Sequence, residues 1–483
     1  MADGNPMAKI HEMLGRMHQE KMARVSGGKS LTGEIACYVA KQRFQDLPAS
    51  VATRIKELIL DTIGCALGGF ATESGPVMVA FGRDMGGPRE ATIIGDGHKI
   101  SCAYAASVNG YLANRLDFDE TSINGHIGAP IVTVALALGE KLGRNGQDII
   151  NAVAAGYEAG SRVGSLTFTA FLVPEFQRNS SNPHWYAFGP ALAAAKLLDL
   201  TEDQVRETIN IVITQPAAMN SCFIPDATYH VPNMLKSPNI AACQLGIEAA
   251  YLAKNGFVGS TNVLDHDMTP ILDVPYSDYW FTTENLEFKP WSVCRYIHGG
   301  IEIVLDLMKK NGIKAQDIEE VRVGTFLWAS APPYDSMNIE YWNDVTWSIP
   351  CGIALSVLGY EPGPDWYQPS NYNHPEVRRL MQKIKVYELP EATASFAAGR
   401  GIENLITKVT LEARGQTFSQ QVRGYKGDPT KALSQAELEA KFLSLARHTI
   451  SEVRARKIIR LTNQMETQES LKGLMALTRP SQR

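Results

Sequence analysis

Asp117, Asp119, Glu120, Thr121 and His126 fall within ten residues of one another, with Gly125 and Gly128 on either side of the histidine. A carboxylate and an imidazole aimed into one pocket can remove and return a proton, and histidine is the natural acid–base group near neutral pH. The glycines would let a loop or helix start bend to present them. The same residue types also fit a plainer arrangement, in which the acids cap a helix and the histidine is a hydrogen-bonded loop residue. Spacing alone leaves both open.

Other candidates are scattered. His184 lies in Asn-Pro-His-Trp, just ahead of a small-residue helix beginning near Phe188. A histidine there can cap the helix or join an anion site at its N-terminus. Lys236 stands between Pro232 and an alanine-rich helix, where a solvated lysine is the bland alternative. Lys289 and Arg295 flank Pro290 and Cys294 at a change in sequence character. A basic pair at a domain junction suits a polyanionic substrate, because clefts between domains are favoured binding sites.

Several chemistries lack their motifs. No G-x-G-x-x-G or G-x-x-x-x-G-K-[ST] loop appears, so the usual nucleotide phosphate cradles are missing. No G-x-S-x-G elbow and no H-E-x-x-H helix appears either. The seven cysteines (Cys37, Cys65, Cys102, Cys222, Cys243, Cys294 and Cys351) show no C-x-x-C spacing and no cluster-ligand pattern. No metal and no cofactor is therefore expected, and acid, base and carboxylate clamps must come from side chains. The odd cysteine count suits a reducing compartment.

The elements that must position these groups are mostly helical. Val51, Ile55, Leu58, Ile59, Ile63 and Ala66 recur at helical spacing after Pro48, with Gly68 and Gly69 reading as the stop. A second helix spans about 148–163, where many alanines and glycines would let neighbouring helices approach closely. Thr201 and Gln204 form a capping box. After about residue 286 the pattern changes to a helix closed by Gly312, strands near 318–326 and 384–389, and a hairpin turning at Arg414-Gly415. Helical spacing resumes from about 434 to 477. The fold class expected is mostly α, a large all-helical domain with a smaller α+β lid. The boundaries are an extension at 1–29, the helical domain at 30–285, the lid at 286–424, and C-terminal helices at 425–483 returning to the first domain.

Composition bounds the partners. With 483 residues, 45% hydrophobic, 20% charged and a net charge of −5, the chain is globular and lacks the basic balance of a nucleic-acid binder. Its longest apolar run, 131–139, falls well short of the ~20 residues of a membrane span. Segment 1–29 reads as a local extension or oligomer-contact helix. Asp3, Glu12 and Glu20 count against a transit peptide.

Taken in order, these patches resemble the MmgE/PrpD family. The likeness is carried by Ile-Leu-Asp-Thr-Ile-Gly-Cys at 59–65, Asn-Arg-Leu-Asp-Phe-Asp-Glu-Thr at 114–121, and the stretch from His184 through Gly-Pro-Ala at 189–191 to Lys-Leu-Leu at 196–198. It continues in Lys-Pro-Trp-Ser-Val-Cys-Arg-Tyr-Ile-His at 289–298 and Trp-Ser-Ile-Pro at 347–350. The resemblance implies a two-domain subunit acting on small polycarboxylates without metal, as 2-methylcitrate dehydratase, cis-aconitate decarboxylase and iminodisuccinate epimerase do. By position it places Asp117, Thr121, His126, His184, Lys236 and Lys289 in the active site; the roles expected are catalytic for Asp117, His126 and His184, and substrate-binding for Thr121, Lys236 and Lys289 together with Cys294 and Arg295. Three departures stand out. The interval from Asp117 to His126 is nine, one shorter than in the decarboxylases. Lys236 opens Lys-Ser-Pro-Asn rather than Lys-x-Leu-His-x-Gly, and Cys294 occupies the place of a histidine in the animal decarboxylases. The expectation is a lyase of the dehydratase type on a hydroxy-polycarboxylate such as 2-methylcitrate. Decarboxylation or epimerisation by the same parts is the alternative, and an inactive binding protein is the alternative from another class. A homodimer in the cytoplasm (mitochondrial if the source is eukaryotic) is expected, with no nucleic-acid or membrane partner.

Overall fold

The computed structural model of this chain describes residues 30–122, 125–170, 184–214, 237–260, 264–265, 279–398 and 404–480. The extension at 1–29, Cys222 and Lys236 lie outside these residues, as does the side chain of His184. The fold is mostly helical, with a smaller α+β part around a four-stranded sheet.

Helix α1 (Leu31–Lys41) starts where the Ser30 hydroxyl accepts a hydrogen bond from the Gly33 N–H. Helix α2 (Ala49–Phe70) buries the stripe that its spacing predicts, from Val51 and Ile55 to Ala66. Gly68 and Gly69 do not stop it, contrary to the sequence reading. They are crossing points: a Cβ at Gly69 would lie 2.0 Å from the Leu112 carbonyl oxygen, and one at Gly68 would lie 2.7 Å from Leu445. Next come α3 (Ser74–Met85), two short paired strands β1 (Ala91–Thr92) and β2 (Lys99–Ile100) that the sequence did not announce, and α4 (Cys102–Asn114). The central helices are α5 (Gly128–Leu142), which carries the buried apolar run, α6 (Gly146–Ala170) and α7 (His184–Leu197). Small residues set their spacing: a Cβ at Gly156 would stand 2.6 Å from the Gly189 carbonyl, and one at Gly189 only 2.3 Å from Ile131. Helix α8 (Glu202–Val212) opens on the Thr201–Gln204 capping box, and α9 (Ser237–Lys254) completes this layer.

The α+β part begins with α10 (Arg295–Asn311), closed by Gly312 in the left-handed conformation. Its sheet runs β4-β3-β5-β6, formed by β3 (Ile318–Thr325), β4 (Ile384–Glu388), β5 (Ile406–Ala413) and β6 (Gln416–Arg423). β5 and β6 form the expected hairpin, and both turn residues, Arg414 and Gly415, have positive φ (54° and 70°). That is the backbone twist a two-residue hairpin favours. β3 and β4 pair in parallel, with Val323 opposite Val386 on one side and Val409 on the other. Helices α11 (Trp342–Trp347), α12 (Ile349–Val357), α13 (Pro375–Met381) and α14 (Pro390–Ala398) lie along that crossover or just after β4.

The chain then returns. Helices α15 (Gln435–Ala446), α16 (Glu452–Asn463) and α17 (Lys472–Leu477) contribute Leu438, Phe442, Ile458 and Leu474 to the core of the helical layer. A second hydrophobic cluster fills the α+β part and takes in Cys65, Leu116, Phe118 and Leu445 from the helical side. The seam between the two parts is therefore apolar, apart from the polar groups described below. Among the described residues no helix is long and apolar enough to cross a membrane.

Two outcomes are expected. Gly69→Ala should lower stability by about 1–3 kcal/mol or more, because its methyl meets rigid backbone, whereas Gly473→Ala, which would meet nothing within 4 Å, should be neutral or slightly stabilising. Thermal melts of the two variants check this. The second concerns Glu158, buried in α6, whose carboxylate accepts the N–H groups of Phe281 (2.7 Å) and Thr282 (2.9 Å). Burial outweighs those bonds and pushes its carboxyl up to about 7. The folded state then holds a proton that the unfolded chain has released, so stability from this group falls as pH rises from ~4.5 to ~7 and levels off above. In denaturant titrations, the stability of wild type minus that of Glu158→Gln should decrease across that window by up to about 3 kcal/mol.

Candidate active site

The candidate site lies where the segment after α4 meets the start of the α+β part. At Asp117 the backbone enters the left-handed region, with φ of 48°. An aspartate tolerates this better than a branched residue, but at a cost of about 1 kcal/mol. Lys289, fully buried, holds the turn: its ammonium donates to the Asp117 carbonyl at 2.8 Å and to the Asp117 carboxylate at 2.7 Å. The residue expected to clamp a substrate carboxylate thus spends two of its three donors on the neighbouring acid.

His126 stands between two carboxylates. Its Nε2 lies 3.4 Å from Asp117 Oδ1 and its Nδ1 lies 3.3 Å from Asp119 Oδ1. A neutral imidazole has one N–H and can serve only one of these acceptors, whereas the cation can serve both. Both separations are longer than a tight hydrogen bond, as apo acid–base sites often are. Asp119 is itself oriented, because Asn114 Nδ2 lies 2.9 Å from each of its oxygens. The histidine is presented by backbone: Gly125 has φ of 83°, a Cβ there would stand 2.6 Å from the Tyr186 hydroxyl, and that hydroxyl accepts the His126 N–H at 3.1 Å. The His126 side chain is about one-fifth exposed, whereas Asp117, Asp119 and Lys289 are buried.

Glu120 does different work. Its carboxyl accepts the Gly128 N–H at 3.0 Å, at the first turn of α5, and the Tyr157 hydroxyl at 3.1 Å. Burial, reinforced by the nearby Asp119 charge, raises its carboxyl well above the usual range. The plainer, helix-capping reading of this cluster therefore holds for Glu120. Glu120 caps, while Asp117 and Asp119 face the histidine.

Thr121, buried, forms a one-pair antiparallel bridge with Glu287. Arg295 is buried too, and donates to the Ser122 carbonyl (2.8 Å) with Glu287 Oε1 at 3.3 Å. Tyr425 donates to the other Glu287 oxygen. Arg295 is thus already charge-balanced and ties down the segment that carries Thr121. Cys294 caps α10, its sulfur 3.6 Å from the Tyr334 hydroxyl, and burial and the Asp117 charge push its thiol up. His298, at the end of the Lys289 stretch, is structural: Nε2 donates to the Val293 carbonyl at 3.1 Å, and burial with the Lys289 charge lowers it to about 3, so the ring is neutral.

The structure thus brings together Asp117, His126 and Lys289, with Thr121, Cys294 and Arg295 on the adjoining wall; Lys236 and the side chain of His184 fall outside the described residues. Sequence reasoning placed Asp119 in the acid cluster without a role of its own, and gave none to Asn114, Tyr186 or Glu287. The two-residue spacing from Asp117 was a usable signal for Asp119. None marked the others, which reach the site by folding. Among the described residues no three histidine, cysteine, aspartate or glutamate side chains are grouped to hold a metal ion.

Comparison with known proteins finds relatives along most of the chain. The cis-aconitate decarboxylase of Homo sapiens is 25% identical over 474 residues, covering 93% of this chain and 94% of the relative. That of Mus musculus is 23% identical over 479 residues, covering 93% of each. That of Aspergillus terreus (strain NIH 2624 / FGSC A1156) is 24% identical over 322 residues, 60% of this chain and 63% of the relative. Residues 33–274 match the MmgE/PrpD N-terminal domain and residues 291–467 the MmgE/PrpD C-terminal domain, so the chain belongs to the MmgE/PrpD family.

Proposed function

We propose that this chain is a lyase acting on a small polycarboxylate by moving a proton at the carbon next to a carboxylate. The observation that carries this reading is the imidazole of His126 held between Asp117 and Asp119. In the dehydratase form, on a hydroxy-acid such as 2-methylcitrate, His126 or Asp117 takes the proton α to a carboxylate. The electron pair left behind delocalises into that carboxylate, a double bond forms, and the β-hydroxyl departs as water after receiving a proton from the other group or from His184. Lys289 offsets the negative charge of the Asp117 carboxylate and that which builds on the substrate beside it, the kind of fixed electrostatic support worth most in a water-poor site. Lys236 and Arg295 complete the cationic surroundings in this proposal, with Thr121 and Cys294 shaping the pocket wall.

A second reading has its own support. The relatives that span nearly the whole chain are named cis-aconitate decarboxylases. Decarboxylation uses the same parts in another order: the carbon–carboxylate bond breaks, carbon dioxide leaves, and the resulting carbanion takes a proton from His126. The shorter interval before His126 and the cysteine at position 294 weigh against this route and leave open a substrate outside the well-known set.

The deciding experiment is an NMR screen of citrate-, methylcitrate- and aconitate-type acids in D₂O. Irreversible dehydration yields an alkene without deuterium uptake in the product, decarboxylation yields a product carrying one solvent deuteron on whichever carbon of the carbanion takes the proton, and simple exchange labels the substrate. Inertness toward every acid in the set would remove the lyase reading. On the acid that reacts, His126→Ala should reduce kcat by ~10²–10⁴-fold while the melting temperature stays close to wild type. A destabilised variant with normal turnover per folded molecule would make His126 structural.

A further inference from the structure

Three consecutive backbone carbonyls of the site segment are held by side chains that all come from beyond residue 288. The Tyr367 hydroxyl shares its proton between the Leu116 carbonyl (2.8 Å) and the Ser292 carbonyl (2.6 Å). The Lys289 ammonium holds the Asp117 carbonyl at 2.8 Å. The Lys441 ammonium, on α15, holds the Phe118 carbonyl at 2.6 Å. A peptide unit is planar, so fixing a carbonyl fixes the whole unit. With the units on both sides of Asp117 and both sides of Phe118 fixed, the dihedral angles of those two residues are set. So is the direction in which the Asp117 side chain leaves the backbone, and the peptide unit that leads into Asp119 is held as well; these are the two residues whose carboxylates bracket His126.

We infer that Lys441 is a positioning residue for the acid–base site. It is buried, its ammonium lies 2.6 Å from Asp61 Oδ1 and 4.1 Å from the centre of the Phe118 ring, and it touches none of the three site groups directly. The ion pair with Asp61 anchors the ammonium to α2. The bond to Phe118 transmits that anchor to the loop. Helix α15 is thereby a working part of the site, although it follows Asp117 by more than 300 positions. This rests on the reading of His126 as the acid–base group, but it can be tested without any substrate.

Lys441→Met alone would strand the buried Asp61 charge, so the informative variant is the double replacement Asp61→Asn/Lys441→Met, which removes both charges together. The single Asp61→Asn serves as its partner, because it keeps the ammonium on Phe118. The measurement is the ring ¹⁵N spectrum of His126, assigned by its disappearance in His126→Ala, with thermal melting as the check on folding. In the double variant the His126 ring signals are expected to move and broaden as the two carboxylates are released. In Asp61→Asn they are expected to stay in place. Where an acid is turned over, kcat of the double variant should fall by about tenfold to a hundredfold with KM changing much less, the cost of misplacing reacting groups by a fraction of an ångström to an ångström. A folded double variant with unshifted His126 signals would overturn the proposal, as would equal shifts in both variants, which would assign the effect to the Asp61 charge. Failure of every acid to react would count against the proposed function and leave the spectroscopic test intact.

Discussion

The buried pair of Lys289 and Asp117 is the interaction on which the rest of this site depends. An ammonium with no exposure stands against a carboxylate that is itself buried, and it also holds the carbonyl of the same residue. Neither group is tolerable there alone, since removing one partner of such a pair typically costs about 3–5 kcal/mol. The pair therefore forces the two parts of the chain together. Asp117 belongs to the helical half and Lys289 stands at the start of the α+β half, so the charge on each is satisfied only when the halves are docked. The same contact holds Asp117 in a left-handed conformation that it would not adopt unaided.

Around that pair the polar groups are divided by task. Glu120 is spent on the start of α5 and on Tyr157, and Glu287 is spent on Arg295 and Tyr425. These buried carboxyls are raised by desolvation, and their partners keep them satisfied rather than reactive. What is left facing the histidine is Asp117 and Asp119. The histidine is the partly exposed member of the set, and thus the group that a substrate can reach.

The seam is reinforced by apolar and cation–π contacts. Leu116 and Phe118 join the core of the α+β part, while the residues between and after them are the site acids. Arg115, fully buried, places its guanidinium 3.1 Å from the Trp342 ring centre and 5.2 Å from that of Tyr367, while donating to Ser74 and Glu73 on the helical side. Residues 116–119 thus alternate between bolting the two parts together and lining the site, with Arg115 as a further bolt. Precision at the acids comes from the packing of their neighbours, because interiors are dense and give little.

The local rules of the chain were legible without coordinates. Helical spacing located α2, a capping box located the start of α8, and a positive-φ pair at Arg414-Gly415 located the β5–β6 hairpin, because each is decided by residues a few positions apart. The cluster from Asp117 to His126 was legible for the same reason, as a short stretch with acids, an imidazole and glycines. What the sequence left undecided was which acid caps and which one faces the histidine, since Glu120 and Asp119 are adjacent and chemically alike. That choice is made by Gly128, Tyr157 and Asn114 in three dimensions. The glycines at 68 and 69 read as a stop, because the Leu112 carbonyl and Leu445 that require them lie on other helices. The parallel pairing of β3 with β4, the hold of Lys289 on Asp117, and the reach of Lys441 to Phe118 all join residues from separate stretches of the chain. Such pairings depend on how helices and sheet pack, and no periodicity or spacing encodes them, so only the tertiary structure decides them.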